Sequence, residues 1–243
     1  MNKCAPGVQK KNINHNGKNY ETCLDSSSFI QGLNTNCNDD KCITQRLGYN
    51  HDKIRPTFKG NKKNNWLSNH DIENVVSQYS NIYNNFYLLG IVPCDFFPKM
   101  KHIDYEEFLR NGIDTFLLVI NSDVSKGKGI HWVALYINLP KGQIYYHDSS
   151  GKSPEQLSRY QTVTHYIKFM ANYIIDKNIC PIELIDVRYN NISHQRSNSE
   201  CGVYSIHYLL TMLKGVSFES GSLLNKPDKM IKKCRQVYFY DNV

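Results

Sequence analysis

A cysteine stands where a helix is expected to begin in the stretch 193–204, which reads SHQRSNSECGVY. Either Asn198 or Ser199 is suited to the N-cap of this helix, and Glu200 would add a carboxylate to its first turn. The helical spacing continues at Val203, Ile206, His207 and Leu210. Partial positive charge at a helix N-terminus stabilises a thiolate. Cys201 is therefore a candidate nucleophile.

The residue after Cys201 is a glycine, which adds no side-chain bulk beside the sulfur. A substrate carbonyl could approach the backbone N–H groups of the turn at Gly202, and such donors stabilise an oxyanion. The alternative is a buried structural cysteine, because Cys is among the most buried residue types. A catalytic role requires a base, and a group that orients it, elsewhere in the chain.

Candidates for that base and that orienting group lie at the ends of a predicted β-hairpin. Its strands cover 131–138 and 143–148, and the connecting sequence LPKG has turn composition. With the turn centred near residues 140–141, residue 131 pairs near residue 150. His131 and Asp148 then lie at the same open end of the ladder, but the register that would put them on one face stays open. A surface histidine and an ordinary turn aspartate are the alternatives.

An amide donor for the oxyanion is also available in the loop before Cys201. Gln195 lies six residues before the cysteine and Asn198 lies three residues before it. Either amide could point into the same cleft, and we prefer Gln195. A solvated loop residue is the alternative interpretation.

The remaining elements predict an α+β fold. A helix is expected from about residue 69, with Ser68 as N-cap, Asp71 as its capping-box partner, and Leu67 and Ile72 as a hydrophobic staple. Further predicted elements are an acidic helix at 104–111, a strand at 115–121, a long helix from residue 153, a strand at 182–188 and a last helix at 226–234. Helices and strands in this order differ from a repeating βαβ series.

Composition limits the remaining possibilities. Residues 1–62 are polar and form a predicted accessory arm with helix candidates at 20–33 and 39–47, and residues 63–243 form the predicted main domain. The eight cysteines are scattered, which favours a reduced compartment. Cys37 and Cys42 lack a second matching pair, so neither a metal nor a cofactor is expected. We expect a soluble chain, because no apolar run is long enough to span a bilayer and the N-terminus lacks a signal-peptide core.

The order of these motifs resembles a known family. The chain reads His131-Trp132, then Asp148, then Gln195, then Cys201-Gly202. This pattern is similar to that of the ubiquitin-like-protein-specific cysteine proteases, of the SUMO protease and adenain type, which include the maturation proteases of several DNA viruses. The resemblance implies a papain-like or adenain-like core, with a central mixed sheet flanked by helices, and a small N-terminal helical arm.

The resemblance also carries implications for the substrate. WLSNHD at 66–71 is similar to the entry of a helix in SUMO proteases, where two indoles form a tunnel around a Gly-Gly tail, so Trp66 and Trp132 are expected to bind substrate. A narrower likeness to asfarvirus proteases implies cleavage of viral precursors after Gly-Gly type sites, in the host cytoplasm at assembly sites and in the virion. The chain departs from those proteases at Asp148, where they carry Asn.

Other functions stay open at this stage. The same site could act as an isopeptidase on ubiquitin-like tails, or it could transfer acyl groups. A non-catalytic binding module is a third alternative, which the complete set of four polar residues argues against. The formal net charge of +7 and the basic patch at 59–63 could support a weak nucleic-acid contact, although a solvated loop is the simpler interpretation.

Overall fold

A computed structural model of the 243-residue chain describes residues 10–15, 18–23, 66–157, 161–223 and 226–239. The chain divides into two compact units, residues 1–56 and 57–243. The predicted domain boundary between residues 62 and 63 lies outside the described residues. The same holds for the candidate pair Cys37 and Cys42 and for the basic patch at 59–63.

The described part of the first unit is an antiparallel pair of strands, β1 (Lys10–His15) and β2 (Lys18–Cys23). The helix predicted over 20–33 is therefore wrong at residues 20–23, and the rest of that range and the range 39–47 lie outside the described residues. The sequence between the two strands is Asn-Gly, a pair that favours tight hairpin connections. This local signal argues for a hairpin, and the helical interpretation overlooked it.

The second unit contains a mixed five-stranded sheet in the order β3-β4-β5-β6-β7. The first and last pairs are parallel, and the two central pairs are antiparallel. The strands are β3 (Phe86–Pro93), β4 (Thr115–Asn121), β5 (Trp132–Asn138), β6 (Gln143–His147) and β7 (Asp186–Tyr189). The strand predicted over 182–188 is shorter than expected, because Ile182–Leu184 forms a 3₁₀ turn.

Helices cover both faces of this sheet. The described helices of the second unit are α1 (Asn69–Ser77), α2 (Phe97–Met100), α3 (Tyr105–Arg110), α4 (Pro154–Leu157), α5 (Thr162–Asp176), α6 (Cys201–Leu213) and α7 (Asp228–Tyr238). Among the described residues, none of these helices has the length and apolar composition needed to cross a bilayer.

Alternation along β4 shows how the two layers form. All seven residues of β4 are buried. Leu117 and Val119 pack in the cluster that contains side chains of α1, α6 and α7, whereas Phe116, Leu118 and Ile120 pack with α3 and α5. Successive side chains of a strand point to opposite faces, so a strand covered on both sides is apolar throughout.

The long helix predicted from residue 153 is wrong as a single element. It consists of α4 and α5, and Gln161 before α5 adopts φ 48°, in the left-handed region. A non-glycine residue in this conformation cannot continue a right-handed helix, so the chain changes direction there. The apolar stripe that suggested one helix is still buried at Leu157, Ile167 and Ile174.

Candidate active site

Cys201 is the first residue of α6, as predicted for a thiol at a helix N-terminus. The predicted side-chain caps are wrong, because Glu200 occupies the N-cap position and no side chain caps the helix among the described residues. Ser199 instead donates its hydroxyl to Glu200 Oε1 at 3.1 Å. An N-terminus without a side-chain cap leaves backbone N–H groups for another acceptor.

His131 and Asp148 meet at the open end of the β5–β6 hairpin. Ala134 pairs with His147, which is the register expected from a turn near residues 140–141. His131 Nε2 lies 2.7 Å from Asp148 Oδ1. Asp148 is fully buried, and its Oδ1 also accepts the N–H and the hydroxyl of Ser150, each at 2.7 Å. Three donors therefore hold this carboxylate in place.

The imidazole of His131 also contacts the thiol of Cys201. Burial alone lowers the pKa of His131, but hydrogen bonds to Asp148 and Cys201, together with the charges of both groups, raise this pKa to about 9. Burial raises the pKa of Asp148, but the hydrogen bonds and charge of His131 and the donors of Ser150 outweigh it, so the pKa is lowered. The geometry favours an imidazolium at His131 beside the Asp148 carboxylate.

Asp148 is held by a second residue, which the sequence reasoning missed. Asn190 follows β7 and is fully buried. Its Oδ1 accepts the Asp148 N–H at 2.7 Å, and its Nδ2 donates to the Asp148 carbonyl at 2.8 Å and to the Ile192 carbonyl at 3.0 Å. The sequence feature that could have indicated this contact is an Asn directly after a strand. Nothing in the sequence shows that β7 lies beside β6.

Ser149 connects the aspartate segment to the predicted oxyanion residue. The Ser149 carbonyl accepts the N–H groups of His194 at 2.8 Å and Gln195 at 2.9 Å. Its hydroxyl donates to Gln195 Oε1 at 2.6 Å, while Gln195 Nε2 donates to the Ser197 carbonyl at 2.5 Å. These partners fix the Gln195 amide with its nitrogen toward the loop that enters α6.

The segment before α1 reaches the same loop. Trp66 is 40% exposed and donates its indole N–H to the carbonyl of Asn198 at 2.7 Å. The side chain of Asn198 is exposed. Trp132 donates its indole N–H to the Leu67 carbonyl at 3.1 Å. Both tryptophans thus tie the 66–67 segment to the surroundings of Cys201.

The position of Leu67 explains the glycine after the cysteine. A Cβ atom added at Gly202 would lie 3.0 Å from Leu67 Cδ1. Leu67 is itself fixed by the start of α1, where Ser68 and Asp71 form the predicted capping box and Ile72 is buried. Gly202 therefore allows the close approach of α1 and α6. This packing role does not depend on any contact between Gly202 and a substrate.

Comparison with known proteins indicates the family to which this chain belongs. The family model described as the C-terminal catalytic domain of the Ulp1 protease family matches residues 102–242, which is more than half of the chain. The chain belongs to the Ulp1 protease family. As a member of that family it is a cysteine protease. The range that matches the Ulp1 family includes His131, Asp148, Gln195 and Cys201, and Trp66 lies before it.

Viral relatives of this Ulp1-family chain share most of its length. An Acanthamoeba polyphaga mimivirus protein named as a thiol protease is 33% identical over 229 residues, which cover 90% of this chain and 68% of that protein. An African swine fever virus protein named as a SUMO-1 cysteine protease is 26% identical over 260 residues, which cover 91% of this chain and 92% of that protein.

Solved structures agree on the fold. A crystal structure of the African swine fever virus protease has a TM-score of 0.61 at 23% identity, over 89% of this chain and 88% of the other. The Ulp1 protease domain in complex with Smt3, the yeast ortholog of SUMO, has a TM-score of 0.51 at 18% identity, over 83% and 92%. The expected mixed sheet flanked by helices is thus confirmed.

Proposed function

We propose that this Ulp1-family protease is an endopeptidase that cleaves after Gly-Gly type sites and processes viral structural precursors during virion maturation. The observation that supports the chemistry most directly is the 2.7 Å contact between His131 Nε2 and Asp148 Oδ1, on an imidazole that also contacts Cys201. The viral relatives support an infected host cell, with assembly sites and the virion as the proposed locations.

The reaction begins from a thiolate and an imidazolium. Cys201 Sγ attacks the carbonyl carbon of the glycine before the scissile bond, and the carbonyl oxygen becomes an oxyanion. The C–N bond then breaks as His131 gives its proton to the leaving amine, which leaves a thioester on Cys201. The buried carboxylate of Asp148 holds the ring in orientation and stabilises its positive charge.

Hydrolysis of the thioester restores the site. Neutral His131 takes a proton from a water molecule, and the resulting hydroxide attacks the thioester carbonyl. The C–S bond breaks, the acid product leaves, and Cys201 returns to a thiolate beside protonated His131. The same two residues therefore act in both halves of the reaction.

Stabilisation of the oxyanion is assigned to two hydrogen-bond donors, the Cys201 N–H and the Gln195 amide. Gln195 Nε2 donates one hydrogen to the Ser197 carbonyl, and no acceptor among the described residues takes the second. Asn198 stays the rival amide, because its side chain is exposed in the same loop before α6. Loss of one oxyanion donor typically lowers kcat by about 10²–10³-fold. Comparing Gln195→Ala with Asn198→Ala separates the two assignments.

A preference for glycine would follow from a narrow passage between indoles. Trp66 and Trp132 are both tethered within the segments that surround Cys201, which supports such a passage. Side chains larger than a hydrogen atom would then be excluded before the scissile bond. Trp132→Ala is expected to relax this preference or to destroy activity. Unchanged specificity of that variant would count against the passage.

Isopeptidase action on ubiquitin-like proteins is the second candidate. It is favoured by the viral relative named as a SUMO-1 cysteine protease and by the Ulp1 domain solved with a SUMO ortholog. The two candidate functions differ in substrate recognition, because an isopeptidase binds the folded surface of the ubiquitin-like protein in addition to its tail.

The deciding experiment compares three substrates with the full chain. They are a short Gly-Gly-X peptide, a folded ubiquitin-like fusion with the same junction, and a precursor from the genome that encodes this chain, with Cys201→Ala as the blank. Cleavage of the peptide and the precursor at matching sites supports maturation. A kcat/KM at least about tenfold higher for the fusion than for the peptide would favour the isopeptidase.

A further inference from the structure

The C-terminal helix α7 presents one side to the loop that carries the nucleophile. Asp228, Ile231 and Arg235 are spaced by three and four residues, so they lie along one face of the helix. Ile231 is fully buried in the core cluster that also contains side chains of α6. The two charged residues lie on either side of this apolar anchor, and both reach residues 196–200.

Arg235 contacts the two residues immediately before Cys201. Its Nε donates to Glu200 Oε2 at 3.1 Å, and a terminal nitrogen donates to the Ser199 carbonyl at 3.0 Å. The Glu200 side chain is only 2% exposed and the Arg235 side chain 16%. A planar guanidinium can bind a carboxylate and a carbonyl at once, which a lysine ammonium cannot do with the same fixed geometry.

Asp228 holds the other end of the same loop. Its Oδ2 accepts the Arg196 N–H at 3.0 Å, and its Oδ1 accepts the hydroxyl of Tyr204 on α6 at 3.1 Å. Residues 196–200 are thus attached to α7 at both ends. The loop also contains the acceptor of the Gln195 amide, Ser197, so the attachment extends to both assigned oxyanion donors.

We propose that Arg235 is a positioning residue for the oxyanion site, and this inference rests on the proposed function. Arg235 fixes the Ser199–Glu200 peptide and the Glu200 side chain. The Glu200 carbonyl is in turn held by the Tyr204 N–H at 2.9 Å. The peptide before Glu200 and the carbonyl of Glu200 are then both held. The N–H of Cys201, which follows that carbonyl, therefore keeps one direction. A small misplacement of a catalytic group can cost about 10²-fold in rate.

The mechanism predicts a selective defect. Oxyanion donors assist attack on a carbonyl, because the carbonyl oxygen becomes charged. Alkylation of Cys201 by iodoacetamide forms an S–C bond and releases iodide, and it develops no oxyanion. Loss of Arg235 should therefore slow acylation and weaken a peptide aldehyde, whose thiohemiacetal places an oxygen in the same site, without slowing alkylation.

The test uses Arg235→Lys in the full chain, since lysine keeps a cation beside buried Glu200 and favours a folded variant. Expected results are a kcat lowered about 10- to 100-fold with KM within about threefold, a matching loss of aldehyde affinity, and an alkylation rate within about twofold. A double variant, Glu200→Gln with Arg235→Met, removes both charges together and should show the same pattern.

Arg188→Met is the matched control. Arg188 pairs with Asp186 and Glu219 and lies over the ring of Tyr145, on the edge strand β7. It should retain kcat. If Arg235→Lys keeps wild-type kcat and aldehyde affinity, or if alkylation slows as much as acylation, the proposal is overturned. Failure of the wild-type chain to cleave any substrate would refute the proposed function instead.

Discussion

Two cysteine–histidine contacts occur in the part of the chain that the structure describes, and their surroundings differ. Cys201 contacts His131 at the start of α6. Six residues further along α6, His207 Nδ1 lies 3.7 Å from Cys234 Sγ and 3.2 Å from the Tyr238 hydroxyl. The two pairs have the same residue types, so residue type does not distinguish them.

The difference lies in the charges around each imidazole. His131 contacts the buried carboxylate of Asp148, and the pKa of His131 is raised to about 9. Burial lowers the pKa of His207 to about 3, with further lowering by the positive charges of Lys226 and Lys214. His207 therefore stays neutral at pH 7 and cannot stabilise a thiolate as an imidazolium does.

The cysteines also differ in their place on a helix. Cys201 is the first residue of α6, where the helix dipole favours an anion. Cys234 lies within α7, away from its N-terminus. The two pairs therefore differ in the charge around the imidazole and in the position of the cysteine on its helix.

The largest expected effect separates the two cysteines directly. Cys201→Ala should lower kcat by about 10⁴–10⁶-fold, because it removes the atom that forms the thioester. Cys234→Ala should change kcat by less than about twofold. Initial rates on a Gly-Gly-X peptide measure both. Retained cleavage by Cys201→Ala, or an equal loss in Cys234→Ala, would contradict the assignment.

Removal of the carboxylate should make His131 more like His207. Asp148→Asn keeps an acceptor for Ser150 but loses the negative charge, so kcat should fall roughly 10²–10⁴-fold. The pKa of His131 should also fall from about 9 toward 6.5, which moves the basic limb of the pH–rate profile to lower pH. Asp186→Asn, at the other end of the sheet, is the control and should leave the profile in place.

Alkylation should distinguish the two thiols in the wild-type chain. Near pH 6, His131 is protonated and carries a positive charge beside Cys201, whereas His207 beside Cys234 is neutral. Iodoacetamide should modify Cys201 at least about tenfold faster than Cys234, as measured by peptide mapping with mass spectrometry. Comparable rates at the two positions would remove the basis of the comparison.

The smallest effect concerns stability and has opposite signs for the two histidines. His131, with a raised pKa, stabilises the fold below pH 6.5, and this contribution is lost as the pH rises through about 9. His207, with a lowered pKa, costs stability as the pH falls from 6.5 toward 3. Each proton changes the slope of unfolding free energy by about 1.4 kcal/mol per pH unit.

Urea unfolding at several pH values tests these slopes. His131→Gln should flatten the loss of stability between pH 6.5 and 9. His207→Gln should remove part of the loss between pH 6.5 and 4.5, where His147 and His194 also have lowered pKa values. An unchanged alkaline slope in His131→Gln would show that another group titrates there.

Local patterns predicted much of the site. The capping box of Ser68 and Asp71 and the register of the β5–β6 hairpin were both confirmed, because each depends on residues close in the chain. The helix predicted over residues 20–33 was wrong at residues 20–23, although the Asn-Gly before it favoured the observed strand pair. The break before α5 was also missed, because an apolar stripe does not reveal the left-handed conformation of Gln161.

From the sequence alone, Cys201 was predicted at a helix start and His131 and Asp148 at one end of a hairpin, since residue type, helix start and hairpin spacing follow from local rules. The contacts that hold these residues in place became visible only in the tertiary structure. Asn190 binds the Asp148 backbone across 42 residues, and Arg235 binds Glu200 across 35. These contacts depend on which strands and helices become neighbours, and that choice is made by burial of the whole core, which no local pattern encodes.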